Sequence, residues 1–525
     1  MPRFKHVNYA QGLFIPVQFE HQVLPGTFEH TLSYVVDHHL DLSVFNSHYD
    51  NDTRGATAFD PRVLLKIVLF AYSRGILSSR DIALACEQNI VFMALSANTR
   101  PHFTSIASFI SSMGDAIEPL FRDVLLYCDE LGLIGKEMFA IDGCKISSNA
   151  SKEWSGTRED FERKKVKFEE SIAFLLGKHK AEDESEEKTS GPKNSGPKGP
   201  GTRRDKEKVA IEHLKAKIAK LDQWLKSTPD KLGVTGKPTK SNITDPDSAK
   251  MATSHGVVQG YNGVAVVDDK HQIIVTAEAV GSGSEVAVLN PALEKTRETF
   301  QSLGEENIFE KVTVTADSGF HSEKNMKELA NQEIDAYVGD RGLRQRDPRF
   351  DTAQRHKNTV EQWKLDGKSK FFKPRDFVLN PATGQLTCPA GKTLTVQAKN
   401  FRTPNGFLAV GYRAKAGDCG SCGLRDKCLR VPTAPFRQVY KFQGRETPPE
   451  ESFTKKMIKK MDSLVGRYLY SRRMGTVEPV FANLRHMLGL DRFTMRGITK
   501  VTTQWKLYAF VHNLFKIQRY GYAAG

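Results

Sequence analysis

Met138-Phe-Ala-Ile-Asp142 and Val312-Thr-Val-Thr-Ala316-Asp317 are two short apolar runs, each closed by an acid. Runs of this length and composition read as buried strands. Between them, Val257–Val267 and Gln272–Val280 are rich in Val and Ile and are joined by Asp268-Asp269-Lys270, the pattern of a hairpin. Glu285–Phe300 reads as a helix, Ser322 can cap a second helix over Glu323–Asn331, and Ile334–Val338 reads as a further strand. The order strand, strand, strand, helix, strand, helix, strand describes a mixed α/β sheet with acids at its strand ends.

Upstream, the chain is helical. Asp60-Pro61 starts a helix with proline at its first position, and Arg62–Arg74 continues it. Further helices are expected from Ser79-Arg80-Asp81, over Thr104–Met113 and over Ala116–Leu131. Such a region is either a scaffold or a DNA-binding head with a helix-turn-helix-like pair. Two segments interrupt the sheet. In 151–253, Ile211, Leu214, Ile218, Leu221 and Leu225 form a coiled-coil seam, and Phe161, Phe168, Ile172 and Leu175 give a weaker stripe. Glu186–Arg204 between them is rich in Lys, Gly, Pro and Ser, a disordered composition. This is a charged helical arm, either without function or touching DNA or a partner. The second interruption, 341–465, opens with Arg341, Arg344, Arg346, Arg349, Arg355 and Lys357 and then holds four cysteines. Helices are expected over Val477–Leu488 and Lys500–Arg519.

The expected organisation follows. Residues 1–135 form a helical, DNA-binding domain, and 136–150 with 254–340 form the catalytic core. Residues 151–253 are the arm, 341–465 the basic and cysteine-bearing insertion, and 466–525 the helices that complete the core.

At 525 residues the chain is too long for one ordinary core. Its 39% hydrophobic and 26% charged residues are those of a globular protein. A net charge of +14 and a pI near 9.2 suit a polyanionic partner. No apolar run approaches the ~18–20 residues of a membrane span; the best, Val63–Tyr72, contains Lys66. No secretory signal is evident after Met1, so a cytoplasmic protein is expected. Seven cysteines, three of them scattered (Cys86, Cys128, Cys144), do not make a secreted disulfide framework.

Asp142 and Asp317 each end a strand, and in the fold of the family named below those two strand ends would lie side by side. Glu478, in Thr476-Val-Glu-Pro479, is expected in the first turn of a helix capped by Thr476. Three converging carboxylates raise one another's pKa unless a cation neutralises them. Oxygen donors suit Mg²⁺, and two such ions ~3.5–4 Å apart can clamp an in-line displacement at phosphorus.

Three stretches carry a resemblance: Phe139-Ala-Ile-Asp-Gly-Cys-Lys145, Val314-Thr-Ala-Asp-Ser-Gly-Phe320 and Tyr470-Ser-Arg-Arg-Met-Gly-Thr-Val-Glu-Pro-Val-Phe-Ala-Asn-Leu-Arg485. They resemble the signatures of insertion-sequence transposases with a DDE active site, and Asp60-Pro-Arg-Val-Leu-Leu-Lys66 resembles the start of that family's helical N-terminal region. In the third stretch Tyr470, Arg473, Glu478 and Arg485 match the family's Tyr, Arg, Glu and Lys, with one extra residue before the Glu and Arg in place of Lys. The resemblance implies a ribonuclease H-like mixed sheet with a helical N-terminal domain. It implies Asp142, Asp317 and Glu478 as ligands of two Mg²⁺ ions, for which Mn²⁺ can substitute. It also implies cleavage and strand transfer of double-stranded DNA, at element ends and target, by a homodimer or larger assembly in a bacterial cytoplasm, on the nucleoid when DNA-bound. A nuclease that cuts without joining, and a domesticated non-catalytic DNA-binding protein, remain open alternatives.

Arg485 lies two helical turns after Glu478 on the same face and can hold a DNA phosphate; Arg473 can do the same from the preceding loop, and Tyr470 and Arg472 are further DNA-binding candidates. Arg341, Arg344 and Arg346 near the sheet, Lys455, Lys456, Lys459 and Lys460, and Arg492 and Arg496 are further phosphate candidates. Trp363, Phe371 and Phe372 either stack on an unpaired base or pack in a core. Cys388, with Cys419, Cys422 and Cys428 in a C-x2-C-x5-C arrangement, suits one tetrahedral structural Zn²⁺. Reduced, non-ligating thiols or a redox CxxC are the alternatives.

Overall fold

The computed structural model describes residues 17–49, 51, 57–188, 203–230, 236, 238–253, 256–350, 371–402, 407–431, 433–445 and 452–521. Arg355, Lys357, Trp363 and positions 189–202 of the arm's tip lie outside them. The chain divides into two compact units. The first gathers Met1–Phe320, Asn331–Val338 and Tyr468–Gly525; the second holds His321–Ala330 and Gly339–Arg467. Among the described residues no helix is long and apolar enough to cross a membrane.

Among the described residues the first unit begins with six α-helices: α1 (Phe28–His38), α2 (Pro61–Ser73), α3 (Ser79–Gln88), α4 (Ile90–Leu95), α5 (Phe103–Ser112) and α6 (Ile117–Glu130). Four of these starts are capped by side chains. Thr27, Asp60, Asn89 and His102 each accept a backbone N–H of the first turn, and Pro61 occupies the first position of α2. A sheet follows, made of β1 (Met138–Ser147), β2 (Ala249–Thr253), β3 (Gly256–Asp268), β4 (Ile274–Val280), β5 (Thr313–Ala316) and β6 (Ala336–Val338). Its order is β2-β3-β1-β5-β6, with β4 also paired to β3. β1 and β3 run antiparallel from Phe139 opposite Asp268 to Ser147 opposite Gly260, and β3 and β4 form an antiparallel hairpin. β5 and β6 continue parallel to β1.

Between β1 and β2 stand the paired arm helices α7 (Arg158–Lys188) and α8 (Arg203–Ser227). Phe161, Leu221 and Trp224 are buried together with Trp154 at one end of the pair. Ile211 is also buried, and Lys165 pairs with Asp222 at 2.7 Å. α9 (Leu289–Ser302) packs on the sheet, with Phe300 stacked on Phe139 at 5.4 Å.

Two late helices complete this unit: α10 (Leu464–Ala482), from Tyr468 onward, and α11 (Ile498–Tyr520). α11 is buried around nearly its whole circumference from Thr503 to Leu514. Two of its polar side chains bond the sheet's backbone. Trp505 Nε1–H donates to Val264 O at 2.9 Å. The Asn513 amide accepts the Ile274 N–H and donates to the Ile274 carbonyl, each at 2.9 Å. Tyr508 meets Tyr72 of α2 at 5.0 Å, and Phe515 stacks on Phe28 of α1 at 4.1 Å. The N-terminal helices and the sheet are thus tied to one central helix within one unit.

The second unit contains an antiparallel sheet of β7 (Val378–Asn380), β8 (Gln385–Thr387), β9 (Thr393–Arg402), β10 (Phe407–Ala414) and β11 (Gln438–Arg445), in the order β11-β10-β9-β8-β7. Phe377, Leu386, Leu394, Tyr412, Ala414 and Val439 form its core, with Phe372 packed against it. Phe372 is therefore a packing residue here.

Candidate active site

β1 does not stop at Asp142, as its apolar run suggested. It continues to Ser147, where Gly260 on β3 lets the strands approach: a Cβ there would lie 2.0 Å from Ile146 O. The parallel ladder with β5 does stop, at Ile141 opposite Ala316. Asp142 and Asp317 are the residues that follow on each side, and they come together there. After Asp317 the chain turns away through Ser318–Phe320, with the Phe320 N–H bonded to Asp317 O at 3.1 Å.

One guanidinium joins the two acids. Arg473 Nη1 donates to Asp142 Oδ2 at 3.0 Å, and its Nη2 lies 3.6 Å from Asp317 Oδ1. Tyr470, one turn earlier on α10, donates its hydroxyl to Asp317 Oδ1 at 3.0 Å, and its ring lies beneath the guanidinium at 5.3 Å. Asp142 Oδ1 accepts the Gly143 N–H at 2.8 Å. Burial pushes the Asp142 carboxyl above its usual range, and neighbouring Asp317 adds to this, while Arg473 and the Gly143 N–H oppose it. Burial also disfavours charge on Arg473, but Asp142, Tyr470 and Asp317 more than offset this and hold it protonated.

Glu478 differs from its expected setting. Its helix starts at Leu464, so Glu478 is far past the first turn and Pro479 is interior. Thr476 does not cap; its hydroxyl back-bonds to Arg472 O at 3.1 Å. Helix can continue through Pro479 because the carbonyl it leaves unmatched, Gly475 O, accepts Gln272 Nε2 at 2.9 Å. Glu478 is exposed and has no ion pair among the described residues. Among those residues no three His, Cys, Asp or Glu side chains are gathered closely enough to hold a metal ion.

Arg485 sits on a single π-helical turn, Asn483–Met487, after α10. It is exposed and lies beside Cys144, two residues from Asp142. Burial raises the Cys144 thiol, and the Arg485 charge pulls it back. Arg485 thus borders the acids. Arg472 instead pairs with buried Asp269. Arg492 donates to Ser148 O and Asn149 Oδ1, and Arg496 to Asn149 O.

In the second unit, Arg346 is held by Asp340 at 2.5 Å and Asp462 at 2.8 Å. Arg344 lies over the Phe350 ring at 5.9 Å, and Arg341 is exposed. Cys388, Cys419, Cys422 and Cys428 line one pocket of this unit, and all four are free thiols. Burial raises Cys428, Arg437 opposes, and the other three thiols raise it further. Cys388 closes a tight turn in which the Lys392 N–H points at its sulfur at 3.3 Å. The four cysteines share one pocket, but as they stand they are not among groups gathered closely enough to hold an ion.

Two stretches match known families. Residues 387–518 match the family model described as "Transposase DDE domain", and residues 17–112 match "Transposase domain (DUF772)". Both agree with a DDE-type insertion-sequence transposase. The first stretch includes the four clustered cysteines and Glu478 but neither aspartate; the second spans α1 to α5. A comparison with curated proteins finds no match.

Proposed function

We propose that this chain is a DNA transposase that cuts the ends of an insertion sequence and joins them to target DNA, with Asp142, Asp317 and Glu478 as its metal-holding acids. The observation that carries this reading is the meeting of Asp142 and Asp317 beyond the last rung of a parallel strand pair, on one arginine of α10. The sheet supports a ribonuclease H-like core: β1, β3 and β4 are antiparallel in sequence, and β5 and β6 add on the other side of β1, parallel to it. The transposase matches support the substrate class.

The paired carboxylates fit a hard divalent cation, and Glu478, on the same helix as Arg473, is the third ligand of the proposal. Mg²⁺, or Mn²⁺ in its place, would neutralise phosphate charge and favour ionisation of the attacking water or 3′-hydroxyl. The chain's own residues do the rest. Tyr470 orients Asp317 through its hydroxyl. Burial of Asp142 keeps its charge poorly solvated and ready for a cation. Arg485, exposed beside Cys144, is placed to hold a DNA phosphate next to the acids. Two DNA ends call for two copies of the chain.

The test is cleavage and joining of DNA carrying the element's ends in Mg²⁺. Asp142→Asn, Asp317→Asn and Glu478→Gln are each expected to abolish cleavage and to leave end binding within about twofold of the native chain. Near-native cutting by any one of them removes that residue from the site. Cleavage without joined product assigns a nuclease in place of a transposase.

A second ion belongs to the proposal: a structural Zn²⁺ on Cys388, Cys419, Cys422 and Cys428, closing the knuckle with no ligand position left for substrate. Native mass spectrometry is expected to find about one zinc per chain, lost in Cys422→Ser. A metal-free native chain ends this part of the proposal.

A further inference from the structure

Arg473 stands between the two acids that would hold a cation. Its side chain is 7% exposed, with Nη1 on Asp142 and Nη2 near Asp317. Both oxygens of Asp142 are engaged, Oδ2 by Arg473 and Oδ1 by the Gly143 N–H. Asp317 Oδ1 is shared between Tyr470 and Arg473. A metal ion held by these acids would draw on the same lone pairs. A guanidinium cannot step aside by losing its proton. It must move, or stand as a second cation beside the first. Its Nε is buried without a partner among the described residues, so the present position leaves one donor unused.

We propose that Arg473 is an internal counter-ion: it holds Asp142 and Asp317 together, competes with divalent cations for them, and turns to a DNA phosphate when metal binds. This rests on the reading of the two aspartates as metal ligands. Without DNA, displacing Arg473 strands a buried charge, and metal binds weakly. With DNA, a phosphate takes up the guanidinium, so DNA and metal strengthen each other's binding, reciprocally and by the same factor. The chain then assembles a charged metal site chiefly when its substrate is present.

The experiment is Mn²⁺ titration of the full chain, followed by electron paramagnetic resonance, with and without a short DNA duplex. In the native chain the duplex is expected to tighten Mn²⁺ about tenfold. Arg473→Gln is expected to bind Mn²⁺ at least tenfold more tightly without DNA and to lose the gain from DNA. Equal or weaker binding by Arg473→Gln, with a native circular dichroism spectrum, overturns the proposal. Arg473→Lys keeps the charge and is expected to bind Mn²⁺ no more tightly than the native chain. A tenfold gain with lysine as well means that space matters and charge does not, which also overturns it. If Arg473→Gln does not fold, the native chain decides: no effect of DNA on Mn²⁺ affinity ends the idea. Asp142→Asn with Asp317→Asn provides the separate control. Unchanged Mn²⁺ binding in that double variant sinks the metal-site reading itself, whatever Arg473 does.

Discussion

Asp142 is three-quarters covered, and its partner Arg473 is covered almost completely. Taking such charges out of water is costly, and only their pairing offsets it. Removing one partner leaves the other buried and uncompensated. Asp142→Ala is therefore expected to lower unfolding stability by about 3 kcal/mol, read from the urea midpoint. Asp317→Ala should cost clearly less, because that carboxylate is 41% exposed and water can replace its partner. Equal losses for the two would mean that Arg473 does not depend chiefly on Asp142. Both aspartates were legible as acids closing apolar runs. Tyr470 and Arg473 were legible only through resemblance, because local sequence does not say which face of a helix meets a sheet. That one guanidinium joins both acids could not be read at all: it depends on a contact across more than 300 positions of chain.

At the level of elements, strands and caps were the readable part. The hairpin of β3 and β4, the Asp60-Pro61 start and the Ser322 cap follow from local chemistry, and the structure has each of them. Boundaries set by distant residues were not readable. β1 runs past Asp142 where Gly260 on β3 lets the strands close up, and α10 runs through Pro479 because Gln272 serves Gly475 O. α11 was legible as a helix but not as the centre of the unit. Its buried histidine, His512, is held neutral: Nδ1 faces the Asn483 amide at 2.8 Å and Nε2 faces Gln272 O at 2.9 Å. Burial, helped by the nearby Lys516 charge, lowers its pKa to about 3. The unfolded chain takes up this proton near the ordinary histidine value of about 6.5, and the folded chain does not. Stability from this group is thus full above pH ~6.5 and falls as pH drops from there towards 3, by up to ~1.4 kcal/mol per pH unit. His512→Gln is expected to flatten the pH dependence of the urea midpoint between pH 6.5 and 5 relative to the native chain. An unchanged slope would show that His512 is already protonated in the fold.

For the whole molecule, the net charge of +14 matters less than which cations are free to meet DNA. Arg346, Arg472, Arg492 and Arg496 are engaged by acids or backbone carbonyls, so part of the basic surface inferred from sequence supports the fold. Exposed Arg341, Arg485, Lys455 and Lys456 remain. Phosphate contacts by such groups release condensed counterions, and affinity then falls as a power of salt concentration. If ~6–10 phosphates are contacted, duplex affinity should drop by about 10³–10⁵ between 50 and 200 mM salt. Arg485→Ala should reduce the slope of log affinity against log salt by about one, whereas Arg346→Ala should change stability before it changes that slope. Fluorescence anisotropy on a duplex across this salt range measures both. A slope near zero would mean that the excess positive charge does not serve DNA, and the transposase reading would then lose its electrostatic support while keeping its paired acids.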